Sequence, residues 1–380
     1  MDFTFPSDAR QLRERIRGVI SDCVPEDFTG AFTGRASDHQ VAQQFCKVMA
    51  SQQLLCMAWP AEYGGQDASV WAQTVVREEM WAHFEPRGAQ YMGVNWVGPA
   101  LMLHGTKEQK KEHLPRIAQG DVIWCQGFSE PDAGSDLFAL RTHARARDGG
   151  WVIEGQKVWT SYADIAEWCF LLARTSRDPG NKRSGISVFL VPMSAPGVSV
   201  RPLKSLVGPR HLNELFFDEV VVGPENLLGT LDEGWRIVLD VLAYERFGIA
   251  RYAKCDRLLW EARRRTGEQW DSLPGSLRSR WVAALVHTRE AQLLAYRVVS
   301  EIERGNRSPE VAAAYRIAVT QLDQEVGEVV GEMCGPGVLA PVGSFERSVE
   351  DHWRYAQAAT VSSGTIEMQR RTLSRGLLGE

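Results

Sequence analysis

The chain has 380 residues, 44% of them hydrophobic and 24% charged, which is the composition of a folded globular protein and is longer than one core usually fills. Its 43 basic and 48 acidic residues leave a net charge of -5 without a basic block, so nucleic acid is not an expected partner. Seven scattered cysteines without a Cys-x-x-Cys pair argue against both a disulfide framework and a zinc site, and point to a reducing cytoplasm. No metal is expected: none of the eight histidines falls in a His-Glu-x-x-His spacing. The N-terminus lacks the apolar core of a secretory signal, and no apolar run is long enough to span a bilayer.

From Ser7 to Gly120 apolar residues recur at helical spacing, as in Leu12, Ile16, Val19 and Ile20, with breakers at Pro25, Pro60, Gly64, Gly65, Pro86 and Pro99. Near Asp121 the character changes. Short β-branched and aromatic runs, Trp151 to Ile153, Cys169 to Ala173, Ile186 to Val191 and Leu215 to Val222, read as strands. After Gly229 the helical period returns, with helices expected at about Gly234 to Trp260, Leu277 to Arg304 and Pro309 to Met333. Strands grouped between two helical regions argue against a doubly wound nucleotide fold. The short run Arg263 to Arg265, beside Glu261 and Glu268, reads as a solvated helix face.

Two polar segments could carry chemistry. Phe128-Ser129-Glu130-Pro131-Asp132-Ala133-Gly134-Ser135-Asp136 follows an apolar run and can present N–H and O–H donors to a flat, acceptor-rich ring or to an anion, with Gly134 permitting close approach. Taken alone it is an ordinary turn sequence. Gly155-Gln156-Lys157-Val158-Trp159-Thr160-Ser161 then supplies a large flat face and two hydroxyls.

With these two segments the sequence resembles the acyl-CoA dehydrogenase family, whose forms are Thr-Glu-Pro-x-Ala-Gly-Ser-Asp and Gly-Gln-Lys-x-Trp-Ile-Thr-Asn. Trp59 to Gly65, His104 to Lys110 and Ser363 to Arg370 extend the likeness over essentially the whole chain. The resemblance implies a mainly α protein with a central β-barrel domain: a helical N-terminal domain (1–121), a β-barrel middle domain (122–232) and a C-terminal helical bundle (233–380). It also implies FAD, an acyl-CoA substrate, an electron-transfer flavoprotein as acceptor, and a homodimeric, homotetrameric or heterotetrameric assembly. Carried over residue by residue, Gln126, Ser129, Trp159 and Ser161 would surround the flavin ring, with Phe128, Gly134 and Thr160 lining the same site. Ser135 would lie near flavin phosphate or CoA, and Gly335, Thr365 and Glu367 near the diphosphate or ribose.

Desaturation of a thioester needs a base for the α-proton while a hydride leaves the β-carbon, and a carboxylate in a dry pocket suits that task. Straight-chain members carry the base just before Gly-Thr, where this chain has Ser363. Isovaleryl- and long-chain-type members carry it as Glu-Arg on a helix, which Tyr244-Glu245-Arg246 matches. Glu245 is therefore the expected base. Trp235, Leu239, Leu242, Arg246 and Ile249 share one helical stripe, so Arg246 is expected on the apolar face, where it needs an anionic partner such as a ligand. Gly248 and the small Ser363 suggest room for a branched or bulky acyl group, a steroid side chain among them.

Two departures bear on assembly. Where the family often has Arg-x-x-Phe-Gly, this chain reads Arg263-Arg264-Arg265-Thr266-Gly267-Glu268-Gln269-Trp270, and the turn at Cys334-Gly335-Pro336-Gly337 is a residue short. Two other readings stay open: a flavin monooxygenase or oxidase of the same fold, and a non-catalytic partner subunit of a heteromeric dehydrogenase.

Overall fold

The computed structural model describes residues 5, 8–30, 35–177, 180–181, 183–247, 250–306, 308–339 and 343–379; the side chains of 36, 209, 210 and 241–247 lie outside that description. In chain order the helices before the sheet are α1 (Ala9–Cys23), α2 (Ala36–Ser51), α3 (Val70–Ala82), α4 (Gln90–Met92), α5 (Gly98–His104) and α6 (Lys107–Ala118). The strands follow: β1 (Trp124–Gly127), β2 (His143–Arg147), β3 (Gly150–Ser161), β4 (Trp168–Arg174), β5 (Ile186–Pro192), β6 (Val198–Ser205), β7 (Gly208–Val222) and β8 (Leu227–Leu228). The chain closes with α7 (Gly234–Phe247), α8 (Arg251–Thr266), α9 (Gly275–Glu303), α10 (Pro309–Cys334), α11 (Ser344–Ala358) and α12 (Ile366–Leu378). None of the described helices is long and apolar enough to cross a membrane.

The chain divides into two compact units. One holds Met1–Val41, Asp67–Pro86 and Glu245–Glu380; the other holds Ala42–Gln66 and Arg87–Tyr244. In the first unit α1 buries Leu12, Ile16, Val19 and Ile20, the stripe its spacing predicts. There α10 is the central helix, packed by α8, α9, α11 and α12 around Leu258, Leu259, Val298, Leu322, Val326 and Val330. The expected helix from Gly234 to Trp260 is two helices, because Ala250, with φ -88° and ψ 50°, has left helical geometry before α8 begins.

In the second unit the strands run β6-β7-β3-β2-β4-β5-β8, with β1 pairing parallel to β4. Cys169–Ala173 and Ile186–Val191 are buried at every position, so both faces of these central strands are covered. Strand β6 alternates between half-buried and exposed positions, with two consecutive exposed residues in the middle, as a strand with one wet face does. Two of the family-like segments turn out to be structural here. Thr106 accepts from the Gln109 N–H and Gln109 reaches back to the Thr106 N–H, a reciprocal cap that starts α6. A Cβ on Gly65 would lie 1.9 Å from the Trp59 carbonyl oxygen, so that turn accepts only glycine.

Candidate active site

The Phe128 to Asp136 loop leaves β1 and turns tightly, Glu130 and Ala133 exchanging backbone hydrogen bonds across Pro131 and Asp132. Beneath the turn lies a buried ion pair. Lys157, with no exposed surface, donates to the Phe128 carbonyl at 3.0 Å and to Glu130 Oε1 at 2.8 Å. The Glu130 carboxylate also accepts the backbone N–H groups of Arg141 at 2.6 Å and Thr142 at 2.9 Å. Burial alone would raise the Glu130 pKa, but the Lys157 ammonium and the donated N–H groups outweigh it and hold it below the usual carboxylate range. Lys157 is lowered by burial, an effect its contact with Glu130 offsets in part.

Next along β3 is a bulge. Lys157 faces Leu215 and Thr160 faces Asn213, so β3 spends one residue more than β7 over this stretch. Trp159 takes up the difference at φ 63°, a left-handed conformation costing a non-glycine residue about 1–2 kcal/mol. The residue is 59% exposed. The buried Thr160 hydroxyl and Asn213 Oδ1 have no hydrogen-bond partner among the described residues, although Asn213 Nδ2 donates to the Thr160 carbonyl at 3.1 Å. Ser161 Oγ lies 3.4 Å from His211 Nε2. Gln126 and Ser129 are half-buried, Phe128 is buried against Phe170, and Gly134 and Ser135 are exposed, with open space where a Gly134 Cβ would stand. An exposed tryptophan held in a strained conformation, with the half-buried Ser161 two residues on and the half-buried Gln126 and Ser129 at the adjoining loop, offers a flat face and short polar groups to a flat heteroaromatic with N–H and C=O edges. The residues fit a flavin.

Other expected site residues belong to the first unit. Thr365 is the N-cap of α12, its hydroxyl accepting from the Met368 N–H at 3.3 Å, and Glu367 is exposed in the first turn. Gly335 ends α10 at φ 65° with open space around it. Ser363 and Gly364 have φ 58° and 87°, and Gln369 ties down both of their carbonyls. Glu245 and Arg246 are helical in α7, but their side chains, and Gly248 and Ile249 entirely, lie outside the described residues. The described half of α7 buries Ile237 and Val238 and exposes Leu239 by 50%, so its inward stripe is rotated from the one through Trp235 and Leu239. The chain packs this helix by its β-branched pair.

Sequence reading missed a second polar cluster. Fully buried Arg251 contacts Asp323 at 3.0 Å and donates to Thr320 at 2.9 Å, Cys255 Sγ lies 3.4 Å from the other Asp323 oxygen, and buried His352 completes the group. Cys255, Asp323 and His352 offer donor atoms within 4.8 Å of one another. With Arg251 against Asp323, and with the Lys254 ammonium acted on by both Asp323 and Asp351, two cations face two carboxylates and the cluster reads as a charge-balanced core. Arg251 and Cys255 on α8 stand about seventy positions from Thr320 and Asp323 on α10, a separation no local pattern signals. As expected of Arg264 and Arg265, both pair with Glu261 on an exposed face, at 2.6 and 2.7 Å.

Comparison with known proteins decides what this arrangement is. The acyl-CoA dehydrogenase N-terminal, middle and C-terminal domain models match residues 6–121, 125–220 and 232–378. The chain belongs to the acyl-CoA dehydrogenase family. These are flavoprotein oxidoreductases of lipid β-oxidation. The acyl-CoA dehydrogenase IpdE1 of Mycobacterium tuberculosis is 31% identical over 98% of both chains. Among solved structures, the Tcur3481-Tcur3483 steroid acyl-CoA dehydrogenase matches 100% of this chain and 99% of its own at a TM-score of 0.92 and 27% identity. The ChsE4-ChsE5 complex from Mycobacterium tuberculosis matches 100% and 99% at 0.88 and 28%. The order expected from the sequence, helical, then β, then helical domain, is the fold of this acyl-CoA dehydrogenase.

Proposed function

We propose that this acyl-CoA dehydrogenase uses FAD to desaturate the α,β-bond of an acyl-CoA thioester bearing a bulky, steroid-derived acyl group, with Glu245 as the base. The observation that carries the flavin is Trp159, an exposed tryptophan held at φ 63° where a flat ring can stack on it. Bound FAD supplies the two-electron acceptor for the hydrogen leaving the β-carbon. The protein's part is to hold that ring and the thioester and to remove the α-proton. Gln126, Phe128, Ser129, Gly134, Thr160 and Ser161 line the ring beside Trp159; Ser135, Gly335, Thr365 and Glu367 serve the phosphates and ribose; Arg246 binds substrate.

Two features support Glu245. Position 363, one of the two places where the family carries its base, is a serine. Position 245 stands seven residues after buried Val238, two turns along the same line of α7. The steroid-derived substrate rests on the likeness to a steroid acyl-CoA dehydrogenase. Likeness to two-chain assemblies, with the departure at Arg263 to Trp270, supports a heterotetramer with a second dehydrogenase chain. We further propose domain boundaries after 121 and 232, an electron-transfer flavoprotein as acceptor, and a cytoplasmic setting, in keeping with seven free cysteines.

The test is anaerobic mixing of the FAD-loaded protein, co-purified with its partner chain, with thioesters of steroid side-chain acids and of straight-chain acids. The steroid-derived thioesters should bleach the flavin faster, and Glu245→Gln should slow bleaching by about 10²–10⁴-fold while FAD stays bound. Bleaching by Glu245→Gln at the parental rate removes the base assignment. Faster bleaching by butyryl- or palmitoyl-CoA removes the steroid reading, and rapid reoxidation by air with hydroxylated product would identify a monooxygenase instead.

A further inference from the structure

The ion pair under the Phe128 to Asp136 loop is buried, Lys157 with no exposed surface and Glu130 with 7%. A buried ammonium is costly, and a purely supporting role there is met as well by apolar side chains of similar volume. Its geometry indicates what it does instead. In a regular strand residues 157 and 159 point to the same face. Here Lys157 has no exposed surface and Trp159 is 59% exposed, so the alternation is broken between them. The break is the bulge with Trp159 at φ 63°.

Five hydrogen bonds hold the bulge from its inner side. Lys157 Nζ grips the Phe128 carbonyl, the Val158 N–H donates to the Ser129 carbonyl at 2.9 Å, and Glu130 joins Lys157 to the backbone of Arg141 and Thr142. The site loop and the indole are thus fastened to one another through residue 157. The Gly155 backbone just before it, at φ 148° with Thr142 Oγ1 only 2.4 Å from where a Cβ would stand, leaves β3 no room to slide there.

We propose that Lys157, paired with Glu130, is a positioning residue: it forces the bulge that turns the Trp159 indole outward and sets its register against Phe128 and Ser129 for the flavin ring. The proposal rests on the flavin reading above, but its conformational half can be tested without FAD. Lys157→Met strands the Glu130 charge and is expected to lose stability. Lys157→Met/Glu130→Gln leaves no buried charge and is expected to regain most of the parental melting temperature.

If the pair only supports the fold, the double variant recovers everything. If it positions Trp159, the folded double variant still binds FAD about 10- to 100-fold more weakly, the scale of a misplacement of about 1 Å. It also keeps a shifted Trp159 signal in the ¹⁹F spectrum of 5-fluorotryptophan-labelled protein, assigned by its loss in Trp159→Phe, while the other resonances among the 13 tryptophans stay in place. A folded double variant with parental FAD affinity and an unmoved Trp159 resonance overturns the proposal. A parent that binds no FAD but whose Trp159 resonance moves in the double variant sinks the flavin reading and leaves the clamp standing.

Discussion

At the scale of single residues, what the sequence disclosed and what it hid divide by distance along the chain. Trp159 and Ser129 stand in short segments whose composition already suggested a flat ligand, and the fold leaves that tryptophan exposed. Lys157, two residues from Trp159, stands in the same segment, but nothing in the sequence gives it a partner. Only the fold brings Glu130 to it and removes both from water. The Arg251 and Asp323 pair is further from local legibility, since nothing near either residue points to the other. With both side chains about 1% exposed, removing one partner leaves an uncompensated charge. Arg251→Met should therefore lower stability by about 3–5 kcal/mol, whereas Arg251→Met/Asp323→Leu should recover most of that loss. Thermal unfolding of the two variants decides the point: a single variant that melts with the parent would mean that water reaches Asp323.

At the scale of elements, periodicity located the helices well and their ends less well. The expected helices at Leu277 to Arg304 and Pro309 to Met333 differ by two residues or fewer at each end from α9 (Gly275–Glu303) and α10 (Pro309–Cys334), because each is bounded by proline or glycine and buries a continuous stripe. The segment from Gly234 reads as one long helix because apolar spacing continues through the break at Ala250, and its inward face differs from the expected one because Leu239 is as apolar as Val238 and yet faces outward. Hydropathy does not report which of two adjacent apolar residues meets a neighbour. Caps are more legible. The Thr106 and Gln109 box can be read directly from Thr-Lys-Glu-Gln, and Thr106→Ala should cost α6 about 1 kcal/mol, or roughly a five-fold faster hydrogen exchange of its first-turn amides. Exchange unchanged at Lys110 and Lys111 would show that tertiary contacts, not the cap, hold that end.

At the scale of the whole molecule, the helix, sheet, helix order was legible because β-branched runs and helical stripes occupy separate stretches, whereas the two compact units were not, because they interleave three pieces of one unit with two of the other. The balance of protons across the molecule yields a further prediction. His83, His113 and His352 all have pKa values lowered in the folded protein, by burial first in each case; for His352 the nearby Lys254 and Arg251 charges add to it and take it well below the ordinary value. A histidine depressed in this way is neutral when folded and takes a proton when unfolded once the pH drops below about 6.5, so the unfolded state binds more protons and stability falls with pH. Each such group contributes at most about 1.4 kcal/mol per pH unit, fully spared above pH ~6.5 and lost progressively down to its folded pKa. Asp256 and Asp351, raised by burial, act in the opposite sense at lower pH and are common to parent and variant. The melting temperature should therefore decline from pH 6.5 toward pH 5, and His352→Asn should flatten that decline by about one proton's share relative to the parent. Parallel pH profiles for the two proteins would mean that His352 titrates alike in the folded and unfolded chain, and that the Arg251 and Asp323 cluster is open to water.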